Sequence, residues 1–380
     1  MRVPAELPAS LLALATAQEG LLSAQQCERH DVGRSRRAGW LRAGRWRAVA
    51  RGVVDTIAVP PERRTVHDVP RTPVPPWVLT DVGAAVRRSG RATAAVHRDR
   101  SDSDLLFDHL RRRSAWVGLL AFGPEAIAVG PCALALLGVE GLPPSIRPEV
   151  ALPRASNRPD REGIGLRQFD DGMTTVIVSD RRTGPWRLAA PEWAIAQAVP
   201  ELSMEHGLAV LDSALRLEVV DRAGAARAHD HARGRRGIAR RHELWEWADP
   251  DAASWTESAA RWQCIEEGVP PDILQLPVSG RSGRVVGVGD MAWRLDGGEW
   301  LVAELDGFEW HEGDVRSERR DRDRDNDFAA APGIQLRLPC SCARSERSER
   351  AQLHGRRQGV SLLSTMDRAE PMAMCMSRYW

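Results

Sequence analysis

The C-terminal third of the chain contains two short apolar runs that lead into acidic residues, and this pattern constrains the fold more than any other feature. The first run is Val285–Val288, the second is Trp300–Ala303, and residues 296–298 (Asp-Gly-Gly) lie between them. Apolar runs joined by a glycine-rich connection are typical of a β-hairpin. We therefore predict two paired strands, the first of which closes at Asp290.

Acidic residues follow both predicted strands. Glu304 and Asp306 close the second strand, and alternation places them on one face. Together with Asp290 they would converge at one sheet edge, where like charges repel unless a cation or a proton lies among them. Oxygen ligands without a thiol suit Mg²⁺ or Mn²⁺, so these three residues are candidate metal ligands. His311 is a candidate proton carrier. The alternative is that they are ordinary turn and strand-end acids in a chain that is 28% charged.

The acids belong to a longer pattern with a family resemblance. Asp290, the run ELDG at 304–307 and the run DGFEWH at 306–311 resemble the core of small nucleases related to the very-short-patch-repair endonuclease. That group includes the DUF559-type domains of the PD-(D/E)XK superfamily. Residues 321–326 are similar to the family's DRxRD segment, and Glu257 with Arg261 resembles a family helix that begins at Ser254.

The resemblance covers about residues 250–338 and implies a restriction-endonuclease-like α/β/α domain. In such nucleases the strand-end acids bind a divalent metal that activates water to attack a phosphodiester. The resemblance gives Glu257 an assisting role from its helix and His311 a role in holding a proton or the phosphate. One departure concerns the superfamily's lysine, because the chain contains no lysine and Asp306 stands in its place. A second acid cannot stabilise developing negative charge without a metal.

The first 58 residues have a helix, helix, helix, hairpin pattern. Leu11 to Ala15 is apolar at helical spacing, Ser23 caps a second helix over 24–30, residues 34–42 predict a third, and residues 44–54 alternate as a small hairpin. This order predicts a winged helix-turn-helix. The candidate DNA-binding residues are polar or cationic and lie on the third helix and the wing: Arg34, Ser35, Arg36, Arg37, Arg42, Arg45 and Arg47. The alternative is a solvated arginine face in an arginine-rich protein.

The same region resembles the N-terminal domain of AbiEi-type antitoxins. The resemblance rests on the run from Leu11 to Cys27 and on Gly44-Arg45-Trp46 followed by Gly52-Val53, which match the family's wing. It implies DNA binding, often in a transcriptional autoregulator, and a cognate toxin or defence partner.

The remaining segments differ in composition, which gives the predicted domain limits. We expect a winged helix at 1–58, an extended proline-rich linker at 59–76, an AbiEi-like middle α+β domain at 77–220, a basic helical connector at 221–249, the nuclease-like domain at 250–338 and a disordered tail at 339–380. In the middle domain, helices are predicted from Val82, over 103–120 and over 124–137, with later strands and helices. The triplet His229-Asp230-His231 would diverge on a helix and is expected to be solvated rather than metal-binding.

Global composition excludes few functions. The formal charge of +1 means that any nucleic-acid footprint is local, and six scattered cysteines without a CxxC pair indicate a reducing, cytoplasmic compartment. No signal peptide or membrane-spanning run is expected. The sequence predicts an α+β multidomain protein that acts as a metal-dependent DNA endonuclease. The alternatives are a non-catalytic DNA-binding regulator of antitoxin type and an RNA-directed nuclease.

Overall fold

The chain is an α+β protein that divides into two compact units, residues 1–248 and residues 249–380. The computed structural model describes residues 7–70, 77–79, 85–87, 102–153, 161, 163–168, 172–180, 183–295, 297–306 and 334–341. Each unit is described by itself below. Within these described residues no helix is both long enough and apolar enough to cross a lipid bilayer.

The first unit begins with three helices and three short strands. They are α1 (Ala9–Ala17), β1 (Leu21–Ser23), α2 (Ala24–Arg29), α3 (Arg34–Arg42), β2 (Arg47–Ala50) and β3 (Val53–Asp55), and the antiparallel sheet has the order β1-β3-β2. The predicted limits of the third helix are confirmed. Strand β1 is absent from the prediction, because three residues before a helix cap are too short to show alternation.

Local hydrogen bonds fix where these elements begin. The Gln26 backbone N–H donates to Ser23 Oγ at 3.1 Å, and the Ser23 N–H donates to Gln26 Oε1 at 2.9 Å, which forms a capping box at the start of α2. Trp40 of α3 and Trp46 before β2 lie with ring centroids 4.4 Å apart in a core that also contains Leu11 and Leu22. This core joins all three helices to the hairpin.

Residues 59–70 differ from the extended linker that their prolines predict. Two 3-10 turns, Pro61–Arg63 and Val66–Asp68, fold this segment against the unit. Arg64 is 5% exposed and donates to the Val59 carbonyl at 3.1 Å and to Asp55 Oδ2 at 2.5 Å. Proline stiffens a backbone but does not decide whether a neighbouring side chain finds a buried partner. The remainder of the predicted linker, residues 71–76, lies outside the described residues.

A buried network of charges connects the N-terminal helices to α4 (Asp102–Phe122). Glu19, with a positive φ of 57°, receives hydrogen bonds from Arg112 Nε at 2.5 Å and from His109 Nδ1 at 2.8 Å. Asp55 accepts from Arg64 and from Arg113, whose Nη2 is 2.9 Å from Oδ2. Glu19, Asp55 and His109 are all 0% exposed, so the two carboxylates are compensated by protein groups rather than by water.

The body of the first unit is a mixed five-stranded sheet with helices. After β4 (Trp77–Leu79) and β5 (Ala85–Arg87), which pair with each other, come α4, β6 (Ile127–Ala128), α5 (Gly130–Leu137), β7 (Glu149–Ala151), β8 (Gly165–Arg167), β9 (Thr175–Asp180) and β10 (Gly184–Ala189). The sheet order is β8-β7-β6-β10-β9. The helix predicted from Val82 is wrong over 85–87, since cross-strand pairing overrides the local preference of this alanine-rich stretch. Strand β6 interrupts the helix predicted over 124–137.

Helices complete the first unit. They are α6 (Pro191–Ala198), α7 (Met204–Arg216), α8 (Arg222–Ala232) and α9 (Leu244–Trp247). The predicted connector at 221–249 belongs to this unit up to Ala248, and Ala232 and Ile238 pack on Ala196. The predicted divergence of the histidine triplet is confirmed. His229 stacks on Trp245 at 4.6 Å, whereas His231 stacks on Trp193 at 4.0 Å.

The second unit has one described helix and a four-stranded sheet. Helix α10 (Trp255–Glu266) precedes β11 (Ile273–Ser279), β12 (Val285–Arg294), β13 (Trp300–Asp306) and β14 (Ile334–Ser341). The sheet order follows the chain, with antiparallel pairs except for the parallel pair β13–β14. The predicted hairpin is confirmed. The last strand continues to Ser341, so the tail predicted from residue 339 begins too early, and residues 342–380 lie outside the described residues.

Candidate active site and nucleic-acid interface

One amide links two of the predicted acids in the second unit. Gln275 Nε2 donates to Glu257 Oε2 at 2.9 Å and to Asp290 Oδ1 at 3.2 Å. Glu257 lies on α10, Gln275 on β11 and Asp290 on β12. The amide hydrogens therefore hold a helix carboxylate and a strand carboxylate within one hydrogen-bonded group, and they offset part of the repulsion between the two acids.

The hairpin register brings Glu304 next to this group. Met291 pairs with Ala303, so Asp290 and Glu304 are the next residues along their two strands. The Leu305 N–H donates to Asp290 Oδ2 at 2.7 Å. Asp290 lies inside β12, because the strand runs on to Arg294, and the prediction that Asp290 closes the first strand is wrong. Met291 and Trp293 continue the strand and pack in the helix-side core, beyond the point where the first apolar run ends.

Asp290 and Glu304 differ in their surroundings. Glu304 is only 3% exposed, and Asp290 is half-buried. A carboxylate that is shielded from water binds cations more strongly than one at the surface, since the local dielectric is lower. Asp306 ends strand β13, and its side chain lies outside the described residues. His311 also lies outside them.

No group of three His, Cys, Asp or Glu side chains placed to hold a metal ion occurs among the described residues. Of the predicted ligands, Asp290 and Glu304 each lie one residue beyond the Met291–Ala303 pair on their strands. Asp306 follows Glu304 by two residues along the same strand. The third ligand of the predicted cluster stays a prediction.

Glu257 has a local structural task besides its contact with Gln275. Ser254 is the N-cap of α10, its Oγ accepts the Glu257 N–H at 3.1 Å, and it donates to Glu257 Oε1 at 3.0 Å. The Ala253 N–H donates to Glu257 Oε2 at 2.8 Å. These bonds cap the helix and fix the carboxylate that Gln275 contacts.

Gln275 is absent from the sequence prediction, and its backbone is unusual. Its φ is +52°, which is the left-handed region that residues other than glycine rarely adopt. Leu274 packs in the core on the α10 side, whereas Leu276 and Val278 pack in the other core, so the face of the strand changes at Gln275. The only sequence signal is a lone amide between apolar residues, which does not distinguish a solvent-facing glutamine from this one.

The predicted DNA-contacting residues of the first unit differ in their exposure to solvent. Arg34, Ser35, Arg42 and Arg45 are exposed. Arg36 and Arg47 are half-buried, and the Arg36 guanidinium lies 4.9 Å from the Trp40 ring centroid. Arg45 lies before β2, and Arg47 is the first residue of that strand.

Arg37 differs from the other arginines of α3 because it points inward. It is 9% exposed and donates to the Val32 carbonyl at 2.9 Å and to Glu28 Oε1 at 2.9 Å. Its guanidinium connects α2 to α3. Arg37 therefore does not belong to the candidate DNA-binding surface, and the prediction that it contacts DNA is wrong. Helical spacing alone did not separate this inward arginine from its exposed neighbours.

The hairpin turn contains an exposed cation that the prediction missed. The turn between β2 and β3 is formed by Arg51 and Gly52, the latter with a positive φ of 79°. The Gly52 carbonyl accepts the Ala24 N–H at 2.7 Å, which joins the turn to the start of α2. Arg51 therefore occupies the tip of the hairpin and is absent from the predicted DNA-binding residues.

Comparison with known proteins gives relatives without an assigned activity. Proteins from two strains of Mycobacterium tuberculosis, both called uncharacterized, are 38% identical to this chain over 165 residues. The match covers 40% of this chain and 58% of each relative, so the chain spans little more than half the length of the curated relatives it matches. No family model matches the chain.

Proposed function

We propose that the chain is a DNA-binding phosphodiesterase whose second unit is a metal-dependent endonuclease of the PD-(D/E)XK type. The observation on which the proposal rests is the group formed by Glu257, Gln275 and Asp290, with the buried Glu304 next to Asp290 in the register. A helix acid and a strand acid share the Gln275 amide there, and an acid of the neighbouring strand follows in the register. The element order of this unit, a helix, three antiparallel strands and a fourth strand parallel to the third, also supports the proposal.

The donor set fits a hard divalent cation. Asp290 and Glu304 offer carboxylate oxygens, which are ligands that Mg²⁺ and Mn²⁺ prefer. Asp306 would complete the set. The chemistry that bound Mg²⁺ or Mn²⁺ supplies is neutralisation of phosphate charge and acidification of water. Gln275 and the Leu305 N–H would hold the Asp290 carboxylate in one orientation, and His311 stays the candidate for carrying a proton.

The first 58 residues are proposed to bind duplex DNA as a winged helix-turn-helix. The order of helices and strands and the sheet order β1-β3-β2 support this assignment. Helix α3 would enter the major groove with Arg34, Ser35 and Arg42, and Arg51 would reach the flanking backbone from the hairpin tip.

A cytoplasmic site of action remains part of the proposal. The described cysteines, Cys27, Cys132 and Cys264, are free thiols, which supports a reducing compartment.

A non-catalytic DNA-binding regulator of antitoxin type, with a toxin or defence partner, is the second candidate. The observation that favours it is the internal use of the acids. Asp290 accepts protein hydrogen bonds on both oxygens, and Glu257 caps its own helix. Acids used in this way also stabilise an inactive sheet. Sequence-specific DNA binding without cleavage under any divalent metal would support this candidate.

A nicking assay on the full-length protein tests the first candidate. Supercoiled plasmid is incubated with the protein and Mg²⁺ or Mn²⁺, with and without a chelator, and RNA is supplied as a competing substrate. The proposal predicts metal-dependent conversion to nicked circles that Asp290→Asn and Glu304→Gln abolish while DNA binding persists. Glu299→Gln is the matched control, because Glu299 is an exposed acid of the same hairpin. Equal nicking by wild type and the Asp290 and Glu304 variants would reject the assignment.

A further inference from the structure

The first unit contains a cleft whose lining combines arginine side chains with aromatic ones. It has a volume of about 730 Å³ and lies between the N-terminal helices and the body of the unit. One wall is formed by α2 and the hairpin turn, and the other by the last turns of α4, the loop after it and the start of β10. A volume in this range is typical of small-molecule sites, which run from roughly 300 to 1,000 Å³.

The charge of the cleft is positive although the chain as a whole is close to neutral. Arg29, Arg51 and Arg161 line it, and the described lining residues include no acidic side chain. Arg29 and Arg51 are exposed, and neither forms an ion pair within the described part of the chain. Two arginines without a counter-charge beside one cleft create a local site for an anion, and the planar guanidinium suits phosphate.

Arg161 has a different task, because its guanidinium is used by the protein. It donates to the Ala121 carbonyl and, at 3.5 Å, to the Arg51 carbonyl, and it lies 4.7 Å from the Phe122 ring centroid. These contacts attach the backbone of the hairpin turn to the end of α4. The position of Arg51 at the rim is therefore fixed by the fold rather than by a free loop.

The opposite side of the cleft is apolar and aromatic. Trp116 and Trp186 both line it, with ring centroids 5.3 Å apart and planes inclined by 56°, next to Leu119 and Pro185. Ser23, Gln25 and Gln26 add hydroxyl and amide groups near the arginines. A ligand that matches this distribution has a flat apolar ring at one end and a negative charge at the other.

We propose that this cleft binds a nucleotide unit, with Arg29 and Arg51 contacting its phosphate and the Trp116–Trp186 wall contacting its base. The same chemistry is presented by a free mononucleotide and by a phosphorylated end of a DNA strand. Its lining residues all belong to the first unit, whereas the acids of the proposed nuclease site belong to the second. A ligand here touches both the proposed DNA-binding helices and the body of the first unit.

Calorimetric titration of the full-length protein tests this site with adenosine 5′-monophosphate as the probe. We expect one site per chain, with adenosine and inorganic phosphate each binding at least about ten-fold more weakly, because each lacks one half of the contacts. The double variant Arg29→Gln/Arg51→Gln should weaken binding of the monophosphate by at least about ten-fold and leave the weak binding of adenosine unchanged. Arg63→Gln is the matched control, since Arg63 is an exposed arginine outside the cleft.

Competition then identifies the source of the nucleotide. Displacement of the monophosphate by a short 5′-phosphorylated single strand assigns the cleft to a strand end, and retention assigns it to the free nucleotide. Absence of monophosphate binding at millimolar concentration, or equal affinity in the double variant, would overturn the proposal. Glu304→Gln should bind the monophosphate like wild type, so a failed nuclease assignment leaves this result interpretable.

Discussion

Gln275 combines backbone strain with a contact to two acids. A left-handed conformation in a residue other than glycine costs free energy, and such residues cluster at functional sites. Here the conformation moves the strand from one core to the other and delivers the amide to Glu257 and Asp290. The side chain and the backbone of one residue can therefore be tested separately.

Paired substitutions separate strain from chemistry at this position. Gln275→Ala and Gln275→Gly both remove the amide, but only glycine adopts the positive φ without a steric cost. We expect the glycine variant to be more stable than the alanine variant by about 1 kcal/mol in urea unfolding. Both should lose nicking activity by about 10- to 100-fold, because the carboxylates lose their common partner. An alanine variant with wild-type activity would remove Gln275 from the site.

His109 is neutral in the folded protein, and its tautomer follows from its partners. Arg64 Nη1 is 2.9 Å from Nε2, and arginine only donates, so Nε2 accepts and the proton lies on Nδ1, which donates to Glu19. Burial lowers the pKa of His109 below its ordinary value of 6.5, although the hydrogen bond to Glu19 opposes this shift.

This lowered pKa predicts a pH dependence of stability. Above about pH 6.5 both the folded and the unfolded states have a neutral His109. As pH falls below that value the unfolded state binds a proton that the folded state lacks, so the free energy of unfolding falls by up to about 1.4 kcal/mol per pH unit. We measure the free energy of unfolding by urea titration at several pH values between about 7.5 and 5. The slope of this free energy against pH should be shallower for His109→Gln than for wild type. His206 and His229 also have lowered pKa values but remain in both proteins, so identical slopes would contradict the assignment.

The loop at residues 233–241 has a fixed backbone and carries exposed arginines. Gly237 has a φ of +94°, and a Cβ there would lie 2.2 Å from the Pro200 carbonyl oxygen, so only glycine fits. Arg241 fixes the loop by donating to the Leu202 carbonyl at 2.7 Å and to the Gly237 carbonyl at 3.0 Å. Arg236 and Arg240 are exposed and form no ion pair among the described residues. This geometry suits contact with a phosphate backbone.

The salt dependence of DNA binding tests this loop. If Arg236 and Arg240 each neutralise one phosphate, the double variant to glutamine should lower the slope of log affinity against log salt concentration by about 1.8. Fluorescence anisotropy with a duplex oligonucleotide over a range of salt concentrations measures that slope. The Arg63→Gln variant should keep the wild-type slope. An unchanged slope in the double variant would place the loop away from DNA while leaving DNA binding by the helices intact.

Elements whose signals are local were predictable from sequence. The cap at Ser23 and the limits of α3 follow from side-chain chemistry within a few residues. The 59–70 segment and the strand at Ala85–Arg87 were not predictable, because they depend on partners outside themselves, Asp55 for Arg64 and β4 for β5. The same limit applies to the site. The acids were visible because they follow apolar runs, whereas Gln275 depends on a change of the strand's buried face and Arg51 on which residues form the hairpin turn.

At the scale of the whole molecule, the chain has two units where its composition suggested six segments. The proposed DNA-binding helices share one unit with the body, and the buried charges of Glu19, Asp55 and α4 lie within that unit. We infer that the helices and the body unfold together. Residues 59–70 are folded against Asp55 and are expected to resist limited proteolysis.

Asp55 is the residue on which this cooperation most depends. Asp55→Ala leaves Arg64 and Arg113 without their shared carboxylate, and a buried charge that loses its partner costs about 3–5 kcal/mol. Urea unfolding followed by tryptophan fluorescence should show one destabilised transition for the first unit. Glu62→Ala, an exposed acid in the same segment, should unfold within about 0.5 kcal/mol of wild type. A separate early transition of the N-terminal helices would contradict the inference.

Metal binding at the hairpin is the most direct test of the proposed activity, because it depends on no choice of DNA substrate. Titration of the full-length protein with Mn²⁺, followed by electron paramagnetic resonance, counts the bound ions. We expect wild type and Glu299→Gln to bind Mn²⁺ at a site that Asp290→Asn and Glu304→Gln each lose, with all four proteins folded by circular dichroism. Absence of Mn²⁺ binding in wild type, or equal binding in all four proteins, would contradict a metal site at Asp290 and Glu304.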